Sequence, residues 1–199
     1  MKKTKIRIGF SVFALFFASA LAMRPIEYLA ALTAAFLHEL GHVAAARLLG
    51  VPLRSFSLDI LGARLDLGER VITYRDELLI AAAGPAANLA TALALYPFIS
   101  LCDGATRLFV LAMTAASVGL ALLNLLPVVG FDGGRILSCL LSFVFEPSRV
   151  YRVCRALSFF CVFSLWSASV YLLLKTAGGL SVFVFSASLF CRLFVSDQF

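Results

Sequence analysis

Long apolar stretches separated by short polar segments dominate the chain. This pattern predicts apolar spans at residues 8–23, 26–47, 77–100, 107–129, 151–174 and 180–196, and a shorter apolar helix at 136–146. Most of the spans approach the ~20 residues that a helix needs to cross a bilayer. Residues 48–76 differ, because polar and apolar positions partly alternate there and Gly, Pro and Arg interrupt them, which predicts a short β-hairpin at the membrane surface. The pattern therefore predicts an all-α polytopic membrane protein with about six transmembrane helices.

Composition supports this class of protein. Hydrophobic residues make up 62% of the chain and charged residues only 14%, whereas soluble domains carry about 25% charged residues. A soluble protein is therefore excluded. With 199 residues, we expect a single domain, with a core at 26–140 and C-terminal helices at 147–196.

The distribution of charge indicates membrane topology. The net charge is +6, but no basic-aromatic platform or nucleic-acid motif is present, so nucleic acid is not an expected partner. Fourteen of the 17 Lys and Arg residues fall in segments that the span alternation places on one side. The positive-inside rule then predicts that both termini are cytoplasmic, with basic residues near anionic lipid headgroups.

The N-terminal segment allows two interpretations. A basic stretch at residues 1–7 precedes the first apolar span, and Ala20-Leu21-Ala22 resembles a signal-peptide cleavage site. Because the next span begins almost at once, a retained first helix is the preferred interpretation.

The most specific polar feature is a pair of histidines. His38 and His42 are the only histidines in the chain, and they lie four residues apart in the second span with Glu39 between them. On a helix both imidazoles face the same side, so they can hold one zinc ion while Glu39 acts on a water molecule beside it. The alternative is a pair of buried histidines that form hydrogen bonds to neighbouring helices.

A catalytic zinc site usually has a third protein ligand. No third histidine exists, so the ligand must be Asp, Glu or Cys, and the five cysteines form no CxxC pair. Asp132 stands out, because it lies between two apolar runs, in the glycine-rich stretch 130–135, where an isolated charge costs about 2.5–3.5 kcal/mol or more. The span that leads to Asp132 ends near the cytoplasmic side, and the histidines lie roughly 8–14 Å deep from that same side. Pro127 and Gly130 can break the span, so that the chain turns back toward the zinc. Asp59 and Asp66 are the next alternatives.

Three motifs in order resemble those of a known family. They are His38-Glu39-Leu40-Gly41-His42, then Gly84-Pro85-Ala86-Ala87-Asn88, then Asn124-Leu125-Leu126-Pro127 with Asp132-Gly133-Gly134. Together they resemble the site-2 protease family of intramembrane zinc metalloproteases. The resemblance implies one zinc ion per chain, with His38, His42 and Asp132 as ligands and Glu39 as general base. It also implies supporting or substrate-binding roles for the following motif residues: Gly84, Pro85, Asn88, Asn124 and Pro127. One departure is Val128–Phe131, where many members have prolines.

Finer expectations follow from the same resemblance. The six-span layout with cytoplasmic termini is most similar to the sporulation subgroup (stage IV sporulation protein FB-like), which processes a pro-sigma factor by regulated intramembrane proteolysis. We expect an active-site opening on the cytoplasmic side, a membrane-associated protein substrate and small inhibitory membrane partners. The loops are too short for a PDZ domain, and we expect no CBS domain.

Two other functions are alternatives to this one. A membrane protease of broader duty, which trims anti-sigma factors or signal-peptide remnants, would use the same residues. A non-catalytic metal-binding membrane protein or a transporter is a different class. The intact Glu39 and the lack of a polar path across the bilayer argue against it. For Asn88 and Asn124, hydrogen bonds between helices are the alternative to a role in the site.

Overall fold

The structure is a computed structural model that describes residues 5–8, 24–51, 55–59, 62–66, 72–176 and 180–195. The predicted first span, 8–23, lies outside the described residues from residue 9 onward. The described helices are α1 (Pro25–Leu48), α2 (Tyr74–Leu95), α3 (Gly104–Asn124), α4 (Asp132–Ser142), α5 (Pro147–Thr176) and α6 (Leu180–Val195), and a 3₁₀ turn at Tyr96–Ile99 follows α2. The strands are β1 (Lys5–Ile8), β2 (Ser55–Asp59) and β3 (Gly62–Asp66).

The chain divides into two compact units, Met1–Leu125 and Leu126–Phe199. In the first unit, α1, α2 and α3 pack against one another. The buried residues of α1 recur every fourth position along one face: Ala30, Ala34, His38, His42 and Ala46. Alanine at three of these positions leaves room for neighbouring helices to approach closely, as small residues do in membrane helix bundles. The two histidines therefore continue the packed face of α1.

The first unit also contains the three strands. They form one sheet in the order β1-β2-β3, in which β1 is parallel to β2 and β2 is antiparallel to β3. Ser55 of β2 lies opposite Lys5 of β1 and Asp66 of β3. The strands β2 and β3 fall inside the stretch 48–76, and the location of a hairpin at the membrane surface stays a prediction.

The second unit contains α4, α5 and α6. The last two pack side by side, and their buried hydroxyl groups Ser169 Oγ and Ser186 Oγ lie 2.8 Å apart. The rings of Trp166 on α5 and Phe190 on α6 stack with centroids 5.9 Å apart. The short helix α4 packs on α5, so α5 contacts both of the other helices of its unit.

Several helix limits differ from those predicted, and local chemistry explains the differences. The helix α2 begins at Tyr74 rather than 77, because the Thr73 hydroxyl accepts a hydrogen bond from the Asp76 backbone N–H at 3.1 Å and so caps the helix. The helix α5 begins at Pro147 rather than 151, since proline is well suited to the first position of a helix.

The largest difference concerns the segment around Asp132. The helix α3 ends at Asn124 instead of 129, three residues before Pro127, which cannot continue a helix. The helix α4 begins at Asp132 rather than 136 and ends at Ser142. The prediction that Asp132 precedes the helix, in a glycine-rich break, is therefore wrong. Asp132 lies in the first turn of α4.

Four helical segments are long and apolar enough to cross a membrane, within the part of the chain that the structure describes. They are Pro25–Leu48, Tyr74–Ile99, Gly104–Asn124 and Pro147–Lys175. Large apolar side chains such as Phe36, Leu93 and Phe160 are exposed on them, as expected for surfaces that contact lipid. At 16 residues, α6 is shorter than these four helices, and the number of six spans stays a prediction.

Candidate metal centre

The two histidines of α1 face each other in the interior of the first unit. Both are buried, and their Nε2 atoms lie 3.2 Å apart. The rings are nearly perpendicular, with an interplanar angle of 83°. Two nitrogens bound to one tetrahedral zinc ion at 2.0–2.1 Å would lie about 3.3 Å apart. The spacing of the two Nε2 atoms therefore fits a shared zinc ion without rearrangement of the helix.

The backbone of α2 orients His42. Its Nδ1 lies 2.7 Å from the carbonyl oxygen of Ile80. A carbonyl can only accept, so Nδ1 carries the proton and donates it. In the neutral ring Nε2 then keeps its lone pair, which is the state that a metal ligand requires.

Asn88 of α2 occupies the equivalent place beside His38. Its amide nitrogen lies 3.2 Å from Nδ1 of His38, and the Asn88 side chain is fully buried. The amide oxygen of Asn88, Oδ1, has no hydrogen-bond partner within the described parts of the chain. A buried polar atom without a partner costs about 1–3 kcal/mol. Among the described residues, the amide oxygen of Asn88 therefore lacks a favourable hydrogen bond at a position next to His38.

Gly84 provides the space in which the two rings meet. It lies on α2 one turn before Asn88, and a Cβ atom built there would lie 2.8 Å from Nε2 of His38 and closer still to Nε2 of His42. Any side chain would therefore displace the imidazoles. Pro85 follows inside the helix, where it removes one backbone hydrogen bond to the preceding turn. The Gly-Pro pair thus leaves a recess in α2 at the level of both Nε2 atoms.

Glu39 follows His38 on α1 and is partly buried. Its position in the sequence places it about 100° around the helix from His38. It is the acidic residue of α1 nearest in sequence to the imidazoles, since Glu27 lies three turns earlier, in the first turn of the helix.

Asp132 is buried in the second unit, at the first turn of α4. A carboxylate at this end of a helix is favoured by the helix dipole. Its Oδ1 lies 3.9 Å from Nη1 of Arg135, a partly exposed side chain one turn later, and an ion pair this long and this accessible to solvent contributes little.

His38, His42 and Asp132 each carry one side-chain atom that can ligate zinc: the two imidazoles belong to the first unit and the carboxylate belongs to the second. Two imidazoles and one carboxylate are a ligand set found in catalytic zinc sites that keep a position open for water. The chemistry of the donors and the recess at Gly84 both fit this ion.

Asn124 and Pro127 form hydrogen bonds elsewhere in the chain. The amide nitrogen of Asn124 donates to the carbonyl of Leu120 at 3.0 Å, one turn earlier on α3. The carbonyl of Pro127 accepts from the Ser158 hydroxyl at 3.3 Å. Each of these hydrogen bonds joins a side chain to a backbone carbonyl, and neither involves another predicted site residue.

Sequence reasoning missed two residues of this region. Ile80 acts through its backbone carbonyl, which every residue type carries, so no sequence signal could have identified it. Ser158 is one of several serines in α5, and only the structure distinguishes it, because its hydroxyl also contacts the backbone that precedes Asp132.

A comparison with protein families gives one match in this region. Residues 27–106, which include α1, α2 and both histidines, match the sequence model of Peptidase family M50. The match supports the site-2 protease family. The match covers less than half of the chain and ends before Asp132. Together with the four long apolar helices, it points to a multi-pass membrane protein.

A curated relative and a solved structure also resemble this chain. The chain is 35% identical over 104 residues to Rip3, a proposed zinc metalloprotease, in two strains of Mycobacterium tuberculosis. The aligned part is 50% of this chain and 26% of Rip3, so the chain spans about a quarter of the length of these relatives. The fold is similar to that of the site-2 protease from Methanocaldococcus jannaschii, with a TM-score of 0.64 and 18% identity, over 98% of this chain and 91% of that one. The fold is therefore that of a site-2 protease.

Proposed function

We propose that this chain is an intramembrane zinc metalloprotease. It hydrolyses a peptide bond within or near the membrane segment of a membrane-associated protein. The observation that carries the proposal is the pair of buried Nε2 atoms 3.2 Å apart, facing the recess at Gly84. The absence of a side chain at Gly84 lets both imidazoles pack against α2, and the distance between their Nε2 atoms is that of two ligands of one zinc ion.

His38, His42 and Asp132 would hold one zinc ion per chain. Zinc supplies Lewis acidity, which lowers the pKa of water at the site toward about 7 and polarises a substrate carbonyl. The carbonyl of Ile80 keeps His42 in the tautomer that presents Nε2. Asn88 could orient His38 in the same way. If its amide is turned end for end, Oδ1 accepts a hydrogen bond from Nδ1–H of His38, and Nε2 of His38 keeps its lone pair.

Glu39 would act as general base and then as general acid. It accepts a proton as the water oxygen bonds to the scissile carbonyl carbon, and it delivers that proton to the amide nitrogen as the C–N bond breaks. The products are one carboxylic acid and one amine, so a single water molecule is consumed and no other reactant is needed. Its place beside His38 in the sequence supports this role.

The substrate must be extended where it is cut, because helical backbone hides its carbonyls in hydrogen bonds. The strand β3 (Gly62–Asp66) lies at one edge of the sheet, and an extended segment could pair with such an edge. This pairing is part of the proposal, and Asn124 and Pro127 are its supporting residues. The alternative third ligands, Asp59 and Asp66, lie at the ends of β2 and β3.

A pro-sigma factor is the substrate that the resemblance to the sporulation subgroup implies. The active site would open toward the cytoplasm. The support is the predicted topology, in which the basic residues cluster on one side. A broader role in trimming anti-sigma factors or signal-peptide remnants uses the same catalytic residues. Small membrane proteins would bind the protease and inhibit it.

The test co-expresses the full chain with membrane-tethered pro-sigma candidates and follows their size on a gel. Glu39→Gln should retain about one zinc ion per purified chain and lower the cleavage rate by roughly 10²–10⁴-fold, the usual effect of losing a general base. The matched control is Glu27→Gln, the same chemical change on the same helix, which should cleave normally.

Three results would contradict the proposal. Cleavage by Glu39→Gln at the parent rate would remove Glu39 as the base. A purified, active protein that holds no transition metal and ignores chelators would remove the zinc mechanism altogether. Zinc uptake into proteoliposomes, with no cleavage, would favour a transporter.

A further inference from the structure

Ser158 links α5 to the segment that leads into Asp132. Its side chain is fully buried on α5, and its Oγ lies 2.8 Å from the backbone nitrogen of Val129, from which it accepts a hydrogen bond. The same hydroxyl lies 2.7 Å from the carbonyl of Cys154 and 3.3 Å from that of Pro127. It has one proton to donate, so it bonds its own helix or the segment with that proton, and it holds Val129 in either case.

The second contact in this region comes from α4. A Cβ atom built at Gly134 would lie 2.7 Å from the carbonyl carbon of Val128 and closer to its oxygen. The backbone at Val128 therefore rests directly on the first turn of α4, and the Val128 side chain is buried. Phe131 N–H also donates to the Val128 carbonyl, at 3.0 Å.

These contacts define the segment 126–131 as a short connection that is held on both sides. Gly134 borders it from α4, and Ser158 holds it from α5, at a position three residues before Asp132. Backbone that is fixed this close to a helix start also fixes where the first side chain of the helix points. A mid-helix serine ordinarily bonds only the carbonyl four residues earlier, as Ser164 does with Phe160, so the bond to Val129 is the distinguishing feature.

We propose that Ser158 is a positioning residue for the zinc ligand Asp132. It sets the place of the carboxylate by holding the Val129 N–H, and it touches neither the ion nor the substrate. This inference rests on the proposed function, because it assumes that Asp132 binds the metal. It goes beyond that function by assigning a role to α5, which carries none of the motif residues.

The test measures zinc affinity of the full chain in detergent by competition with a chromophoric chelator, and thermal stability of the zinc-free protein. Ser158→Ala should weaken zinc binding by about tenfold, the lower range for residues that only orient a ligand. Ser158→Thr keeps an oxygen acceptor and should restore much of the affinity. The matched control is Ser169→Ala, since Ser169 is equally buried on the same helix but bonds Ser186 of α6.

A double-mutant cycle with Asp132→Asn separates positioning from a general structural role. If Ser158 acts through Asp132, Ser158→Ala should have no further effect on zinc affinity once Asp132 is replaced. An equal loss in both backgrounds, or the same loss in Ser169→Ala, would overturn the inference. If Asp132→Asn alone leaves zinc affinity unchanged, the proposed ligand set fails first, and the two failures are thereby distinguished.

Discussion

Nδ1 of His38 lies 3.2 Å from the side-chain amide of Asn88, a residue fifty positions further along the chain and on another helix. His42 has a matching contact with the carbonyl of Ile80. The two acceptor positions differ in one respect: the carbonyl of Ile80 can only accept, whereas an amide can present either its oxygen or its nitrogen. Asn88 is therefore the adjustable partner, and its orientation selects which nitrogen of His38 carries the proton.

Replacement of Asn88 tests whether it orients His38. Asn88→Asp keeps an acceptor of the same shape, so zinc affinity should stay within a few-fold of the parent value. Asn88→Leu removes the acceptor and should weaken zinc binding by roughly 10–100-fold. Chelator competition measures both variants, and melting of the zinc-free proteins checks that they fold. If both variants bind zinc equally well and only cleavage falls, Asn88 contacts the substrate rather than His38.

Gly84→Ala tests the recess at the two histidines. The added methyl group would overlap Nε2 of both rings, so we expect zinc binding and cleavage to be lost while the helices remain. Gly119→Ala on α3 is the matched control, because a Cβ there meets no atom within 4 Å. In a helix that change should be neutral or stabilise the protein by about 0.5–1 kcal/mol. Normal zinc affinity in Gly84→Ala would contradict the proposed location of the ion.

The histidine pair could be predicted from sequence because helical geometry alone places positions 38 and 42 on one face. The burial of Asp132 followed from its apolar surroundings, but its place in the first turn of α4 did not, since the glycines after it suggested a break. For Asn124 the motif predicted a role in the site, and that role stays a prediction; the structure adds that its amide nitrogen donates to its own helix. Contacts made through backbone atoms, such as that of Ile80, leave no trace in residue types.

Asp132→Asn distinguishes a metal ligand from a simple ion pair. Loss of a ligand should weaken zinc binding by more than the roughly 10–100-fold typical of residues that only orient one. Arg135→Gln removes the neighbouring cation, whose Nη1 lies 3.9 Å from the Asp132 carboxylate. Because a partly exposed pair contributes at most about 1 kcal/mol, zinc affinity should change by less than about fivefold. The reverse ranking would show that Asp132 serves the ion pair instead.

Removal of zinc should lower the stability of the protein in a concentration-dependent way. An ion that binds only the folded state stabilises it by about 2.7 kcal/mol when its free concentration is 100 times its Kd, so the melting temperature of the chelated protein should rise steadily as zinc is added back. Trp166 is the only tryptophan and stacks on Phe190, so its fluorescence follows the unfolding. Asp132→Asn should need a higher zinc concentration for the same rise, and Mg²⁺ should give none, because imidazole ligands favour zinc over magnesium. A melting temperature that is insensitive to zinc in the parent protein would show that the two imidazoles are a packed pair without a metal.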